Sequence, residues 1–340
     1  MKTKWSQIII AGFLFFLFVL AFILDMDILK ILNISFVKFA MNGVLVLSLI
    51  PMINTGIGMN FGLPVGIVSG LIGMCIIVNM RLTGIFGFIS ACAVTTPIAV
   101  VFGYIYGIIL NRVKGREDIA AIFIGFSFIP LMNYFWTLVP FTNRQMLYPI
   151  GGVGLRPKIG LAPYFEKILD NFCVLDIGGL SIPLGLLGSY AILCIGISLL
   201  FKVKLGKAMI AVGENENFSR LSGIDIKKVR HTAVIISNVI AGIGICVYAQ
   251  SYGFLELYDS PLSLTFPTVS AILIGGSTGK RSTIFEAVLG TYMYQTIYLL
   301  SVPIANTLLL PQLSEILRML VTNSIILYAL LKQQRRKAGL

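Results

Sequence analysis

"AVGENENFSRLSGIDIKKVRH", residues 211–231, is the most polar run in a chain of 340 residues in which 57% of side chains are hydrophobic and only 12% are charged. Apolar runs at 183–201 and 232–252 flank it. Each is long enough to cross a hydrocarbon core of roughly 30 Å as a helix. A polar block framed in this way reads as a loop between two membrane spans. The remainder repeats the pattern, with further apolar blocks near 9–24, 37–53, 62–80, 86–110, 118–138, 266–277, 284–302 and 313–331. The expected fold is therefore an all-α integral membrane protein of about ten transmembrane helices. A transmembrane barrel would show short alternating segments instead. The block at 266–277 is short for a span and is expected as a broken or partly re-entrant helix. Lys2 and Lys4 precede the first block as in a signal peptide, but "ILDMDILK" follows it where a small-residue cleavage site would stand, so it reads as a retained anchor.

The formal net charge of +12 does not point to nucleic acid, because the cations sit in the loops. Of 26 Lys and Arg, two lie at the N-terminus, three in 111–117, seven in 202–231, two in 278–283 and four in 332–340. Placed on one side, these segments satisfy the positive-inside rule, with both termini cytoplasmic and the lipid bilayer's anionic inner leaflet as the partner of the charge. The other sizeable polar segment, 139–182, then faces outside. Neither segment is large enough to fold alone, which leaves a single transmembrane domain over 1–340, an external loop at 139–182 and a cytoplasmic loop at 202–231.

The chemistry is sparse. Cys75, Cys92, Cys173, Cys194 and Cys246 form no CxxC or Cys/His pattern, and His231 stands alone beside Lys227, Lys228 and Arg230, so no metal site and no cofactor are expected. "IGGSTGKRST" fails as a phosphate loop: three residues separate Gly275 from Gly279, and Arg281 stands where Ser or Thr would hold magnesium. Any ATP that drives this protein is hydrolysed on another chain. Asp25, Asp27, Glu256, Asp259, Glu286, Glu315 and Arg318 all fall near span boundaries, so an intramembrane proton relay lacks support. No nucleophile, base and metal set converges, and no catalytic residue is assigned.

Two stretches, "PMINTGIGMNFGLPVGIVSGLIG" at 51–73 and "FPTVSAILIGGSTGKRS" at 266–282, are rich in glycine. They read either as helix breaks near the centre of the bundle that face a cavity, or as close helix packing through Gly62, Gly66, Gly70 and Gly73. Asn54, Thr55, Asn60, Thr95, Thr96, Ser127, Asn133 and Asn238 are the candidates to line a path for a neutral polar solute; each has the alternative of bonding its own or a neighbouring helix. Within 211–231, Glu214 to Leu221 is expected as a short helix with Phe218 and Leu221 on one face. Gly223 would stop it, and Asp225 would cap the next helix. The block is shaped to be gripped by a partner, or is simply a solvated cationic loop.

"GENENFSRLSGIDIKKVR" resembles the cytoplasmic loop of the permease subunits of ATP-binding cassette importers in the branched-chain amino acid and simple-sugar (ribose-type) permease family. Gly213, Asn215, Leu221, Ser222, Gly223, Ile224 and Lys228 carry the resemblance. "AILIGGSTGKRSTIFEAVLG" is similar to the family's glycine-rich turn through Gly275, Gly276, Gly279, Lys280 and Gly290, and "NTGIGMNFGLPVG" occupies the place of its broken-helix segment. Phe218 and Ser219 replace alanines common in the family loop. The resemblance implies a bacterial cytoplasmic (inner) membrane permease, not an enzyme. It further implies two permease subunits, as homodimer or heterodimer, with cytoplasmic ATP-binding subunits and an external solute-binding protein. Gly213, Glu214, Asn215, Phe218, Leu221, Ser222 and Gly223 would form the coupling helix that seats in the ATPase. The substrate leans to a monosaccharide or sugar-like molecule, with a nucleoside or branched-chain amino acid as alternatives. A stand-alone secondary transporter is the reading from a different class.

Overall fold

The computed structural model describes residues 2–149, 152–279 and 281–308. The expected span at 313–331 lies outside them. Helix α1 (Lys2–Ile23) turns into α2 (Ile28–Leu47), whose start Asp27 caps by accepting from the Lys30 N–H at 3.0 Å. The short α3 (Ile50–Asn54) prolongs α2, and α4 (Leu63–Asn79), α5 (Gly84–Arg112) and α6 (Glu117–Leu138) follow. After a mostly irregular segment holding α7 (Ile168–Asn171) come α8 (Leu184–Lys202), α9 (Lys204–Glu214), α10 (Glu216–Leu221) and α11 (Ile226–Tyr252). Next are α12 (Ser260–Ser263), α13 (Thr265–Ile274) and α14 (Ile284–Leu308).

Five of these units are long and apolar enough to cross a membrane: α2 with α3, α5, α6, α8 and α11. The apolar part of α1, α4, and α12 with α13 are shorter. Helices α5, α6 and α8 turn Ile89, Val101, Phe123, Leu131, Ile192 and Ile195 outward, exposed. Such a belt is an aggregation hazard in water and an ordinary surface in lipid.

At the centre, α11 packs along α4 and α5 and against α2. Glycines set the spacing. A Cβ on Gly66 would stand 2.6 Å from the Ala241 Cβ, one on Gly70 would stand 2.1 Å from Ile245 Cγ2, and one on Gly73 would stand 2.2 Å from the Thr95 hydroxyl. These glycines of the 51–73 stretch are therefore packing positions that let helix backbones approach. The same stretch leaves helical geometry over 55–62, where Gly56 and Gly58 take φ of +74° and +111°.

The fold departs from all-α at the opposite end of the bundle from α9 and α10. Strands β1 (Lys158–Gly160) and β4 (Phe254–Glu256) pair antiparallel, and β2 (Val174–Ile177) pairs with β3 (Leu180–Pro183). Gly178 and Gly179, both at positive φ, supply the two-residue turn between β2 and β3. The exposed Lys158 and the mostly covered Glu256 form an ion pair at 2.7 Å, and the carboxylate raises the lysine's pKa.

Near the α9 end, Arg230 on α11 pairs with Glu117 at the start of α6, both side chains largely buried. Removing one partner of a buried pair leaves an uncompensated charge. Arg230→Met should lower stability by about 3 kcal/mol, with Arg230→Met/Glu117→Gln recovering at least half of the loss, read as thermal unfolding in detergent. Gly70→Val forces a branched side chain into the α4–α11 contact. It should destabilise by roughly 1–3 kcal/mol in the same assay, and an unchanged melting temperature would contradict the packing.

Candidate functional site

The polar block spans the end of α9, the whole of α10 and the start of α11, at one end of the bundle. The expected helix from Glu214 to Leu221 is displaced: Glu214 closes α9, and α10 begins at Glu216. The reason is Asn215, whose extended backbone (φ −152°, ψ 102°) and side-chain oxygen, accepting from the Phe218 N–H at 3.0 Å, make it an N-cap. Helix α10 ends at Gly223, φ +78°, with the Ile224 N–H on the Ser219 carbonyl and the Gly223 N–H on the Arg220 carbonyl. That bond pair needs a left-handed residue, which glycine supplies without strain. Asp225 then caps α11 by accepting from the Lys228 N–H at 3.1 Å. Phe218 and Leu221 are left bare, 64% and 89% exposed.

Beneath α10, backbones meet. A Cβ on Gly213 would lie 2.2 Å from the Asn54 carbonyl oxygen, and one on Gly56 would lie 3.1 Å from the Gly213 Cα. Asn54 in turn holds the segment between α13 and α14: its Nδ2 donates to the Ser282 carbonyl at 3.0 Å, and its Oδ1 accepts from the Ser282 N–H at 2.8 Å. Arg281 of that segment faces Glu214 at 3.5 Å, and Lys114 pairs with Glu216. The Met59 N–H donates to Asp118 Oδ1 at 3.1 Å, and Asn111 Nδ2 to the Lys227 carbonyl at 3.0 Å. Thus the two glycine-rich stretches and the polar block, far apart in sequence, converge on one junction together with residues 111–118.

The path candidates are dispersed. Asn60 is buried, accepting from the Tyr106 hydroxyl at 3.0 Å and donating to Ser237 Oγ at 3.1 Å, while Ser237 donates to the Ser48 carbonyl at 2.7 Å. Thr55 and Thr96 bond the carbonyls four residues back, at 2.6 and 2.9 Å. Thr95 lies 3.5 Å from Cys246 Sγ. Asn238 donates to the Val234 carbonyl at 3.0 Å, but its Oδ1 is buried without a partner among the described residues, as is that of Asn133. Ser127 is exposed.

One feature the residue-by-residue reading missed is Lys38, a cation inside the apolar run "SFVKFAM" of α2. A charge within a span is a signal in itself. Its Nζ lies 5.7 Å from the centre of the Tyr252 ring, and both line an open cleft of about 520 Å³ with Asn33, Lys167, Asp170 and Ser251. Asp170 is already engaged, accepting from Gln250 Nε2 at 3.0 Å and Ser251 Oγ at 2.7 Å. None of the eight path candidates lines this cleft.

Comparison with known proteins finds relatives over much of the chain. The chain is 25% identical over 244 residues to a nucleoside ABC transporter permease protein, NupC, of Lactococcus lactis, covering 66% of this chain and 72% of that one. It is 25% identical over 236 residues to the autoinducer 2 import system permease protein LsrC of Yersinia pseudotuberculosis, covering 69% and 60%. A probable ABC transporter permease protein of Escherichia coli, YphD, is 26% identical over 168 residues, 48% of each chain. No solved structure matches. The family model described as branched-chain amino acid transport system, permease component, matches residues 5–330, and the chain belongs to that family of ABC transporter permeases.

Proposed function

We propose that this chain is the membrane-spanning subunit of an ATP-driven importer, and that α10 is the element its ATP-binding subunit grips. The observation that carries this reading is the pair of bare apolar side chains, Phe218 and Leu221, on a short helix capped at both ends and braced from below by Gly213. A bare apolar pair on a rigid, solvent-facing helix suits insertion into a partner's cleft. The expected coupling set, Gly213, Glu214, Asn215, Phe218, Leu221, Ser222 and Gly223, divides accordingly: Phe218 and Leu221 contact the partner, while Asn215 and Gly223 hold the helix ends. No phosphate loop is present in the sequence, which supports hydrolysis on a separate chain.

In this reading the chain is one transmembrane domain of about ten spans in a bacterial inner membrane. The 202–231 side is cytoplasmic, and the 139–182 segment with its strands is the external docking surface for a solute-binding protein. Gln7 of α1 donates to the Gly275 carbonyl at the α9 end of the bundle, which supports an N-terminus on the cytoplasmic side. A second permease subunit, identical or related, completes the path. The solute is small, neutral and polar, most simply a monosaccharide or sugar-like molecule, with a nucleoside as the alternative that a relative named for nucleoside transport supports.

Co-purification tests the first claim. Vanadate-sensitive ATP hydrolysis should come down with the wild-type chain expressed with its ATP-binding subunit and fall at least tenfold with Phe218→Asp/Leu221→Asp; equal recovery would contradict the reading. Proteoliposomes holding the whole complex, offered ribose, adenosine or leucine, should accumulate one of the first two on addition of ATP. Uptake of leucine alone would contradict the solute class.

A further inference from the structure

Asn54 sits at the end of α3 with its side chain buried. Its amide makes two bonds to one residue, donating to the Ser282 carbonyl at 3.0 Å and accepting from the Ser282 N–H at 2.8 Å. Such a pair copies the pattern by which two strands bond, so it holds the neighbouring backbone in both distance and orientation. The carbonyl of the same residue is the atom against which Gly213 is pressed. One residue therefore touches α9 with its backbone and the 275–283 segment with its side chain.

The other link between α9 and that segment, Glu214 to Arg281 at 3.5 Å, is long, exposed and weak. The backbone contact is of a different kind. Gly213 is followed directly by the α9 end and the Asn215 cap of α10, and on its other side α9 buries Met209 and Val212. Close-packed contacts transmit a displacement because they do not compress. A shift of α10 along α9 must move Asn54 or break the contact.

We propose that Asn54 is a positioning residue that passes displacement of α9 and α10 to Ser282, and through it to the ends of α13 and α14. This rests on the reading of α10 as the helix gripped by an ATP-binding subunit. It gives Asn54 a role other than lining the path, and it explains why the two glycine-rich stretches meet where they do: each supplies one half of the bonded pair.

Amide hydrogen exchange on the full complex, with ATP and vanadate against no nucleotide, tests it. In the wild type, peptides covering 204–223 and 276–283 should both change their exchange rate. In Asn54→Ala the response of 204–223 should persist while that of 276–283 falls at least fivefold. Asn54→Asp, which keeps an acceptor for the Ser282 N–H but loses the donor to its carbonyl, should fall between. A merely structural role would instead raise exchange in both segments without nucleotide and leave the response to nucleotide in each. Should Asn54→Ala fail to assemble, Gly213→Ala, whose Cβ would stand 2.2 Å from the Asn54 oxygen, should give the same loss at 276–283. An undiminished response at 276–283 in Asn54→Asp and Gly213→Ala overturns the proposal while leaving the coupling reading intact. Absence of any response at 204–223 in the wild type removes both.

Discussion

Gly213 lies against the Asn54 carbonyl with no room for a Cβ on the glycine, and the end of the bundle is organised around that contact. Because α9 is seated there, α10 is held off the bundle at a fixed place by its two caps, and its apolar pair points away from the protein. Because Asn54 is seated there, the segment between α13 and α14 is tied in by two hydrogen bonds. The ion pairs around the junction differ in weight. Lys114 with Glu216 and Glu214 with Arg281 are exposed and weak, whereas Arg230 with Glu117 is largely buried and locks α6 to α11.

A second constraint is set by the solvent. In a bilayer an apolar surface gains nothing by meeting another, so helices must associate by close packing and by hydrogen bonds between them. The α4, α5 and α11 interface shows both: glycine to backbone contacts at Gly66, Gly70 and Gly73, and the buried chain from Tyr106 through Asn60 and Ser237 to the Ser48 carbonyl. The polar side chains inside the bundle thereby have structural work of their own, whatever share of them a solute also meets.

What the sequence made legible was local. The Gly223 stop and the Asp225 cap follow from neighbours within four residues, and both are found as expected. The start of α10 falls two residues later than expected because Asn215, in an extended backbone, caps the helix, and backbone geometry decides that choice. The β1–β4 pair escaped because Lys158 and Glu256 are almost a hundred residues apart and neither strand has length enough to show alternation. Lys38 is a local signal, a lone cation within an apolar run, and only the fold places it in a cleft with Tyr252. Asn54 stands out in the sequence as a polar side chain in a glycine-rich break, but its partner Ser282 lies 228 residues away and nothing local points to it. Three stretches that are separate in the sequence form one junction only because the fold brings them together.

The central claim is that the bare pair on α10 is covered by an ATP-binding subunit. Its most direct test is the labelling rate of Leu221→Cys, in a background with Cys173 replaced by serine, by a membrane-impermeant maleimide in inverted membrane vesicles. The account predicts rapid labelling of the chain alone and labelling at least tenfold slower when the ATP-binding subunit is co-assembled. Equal rates in the two preparations would show that α10 remains in water and would contradict it.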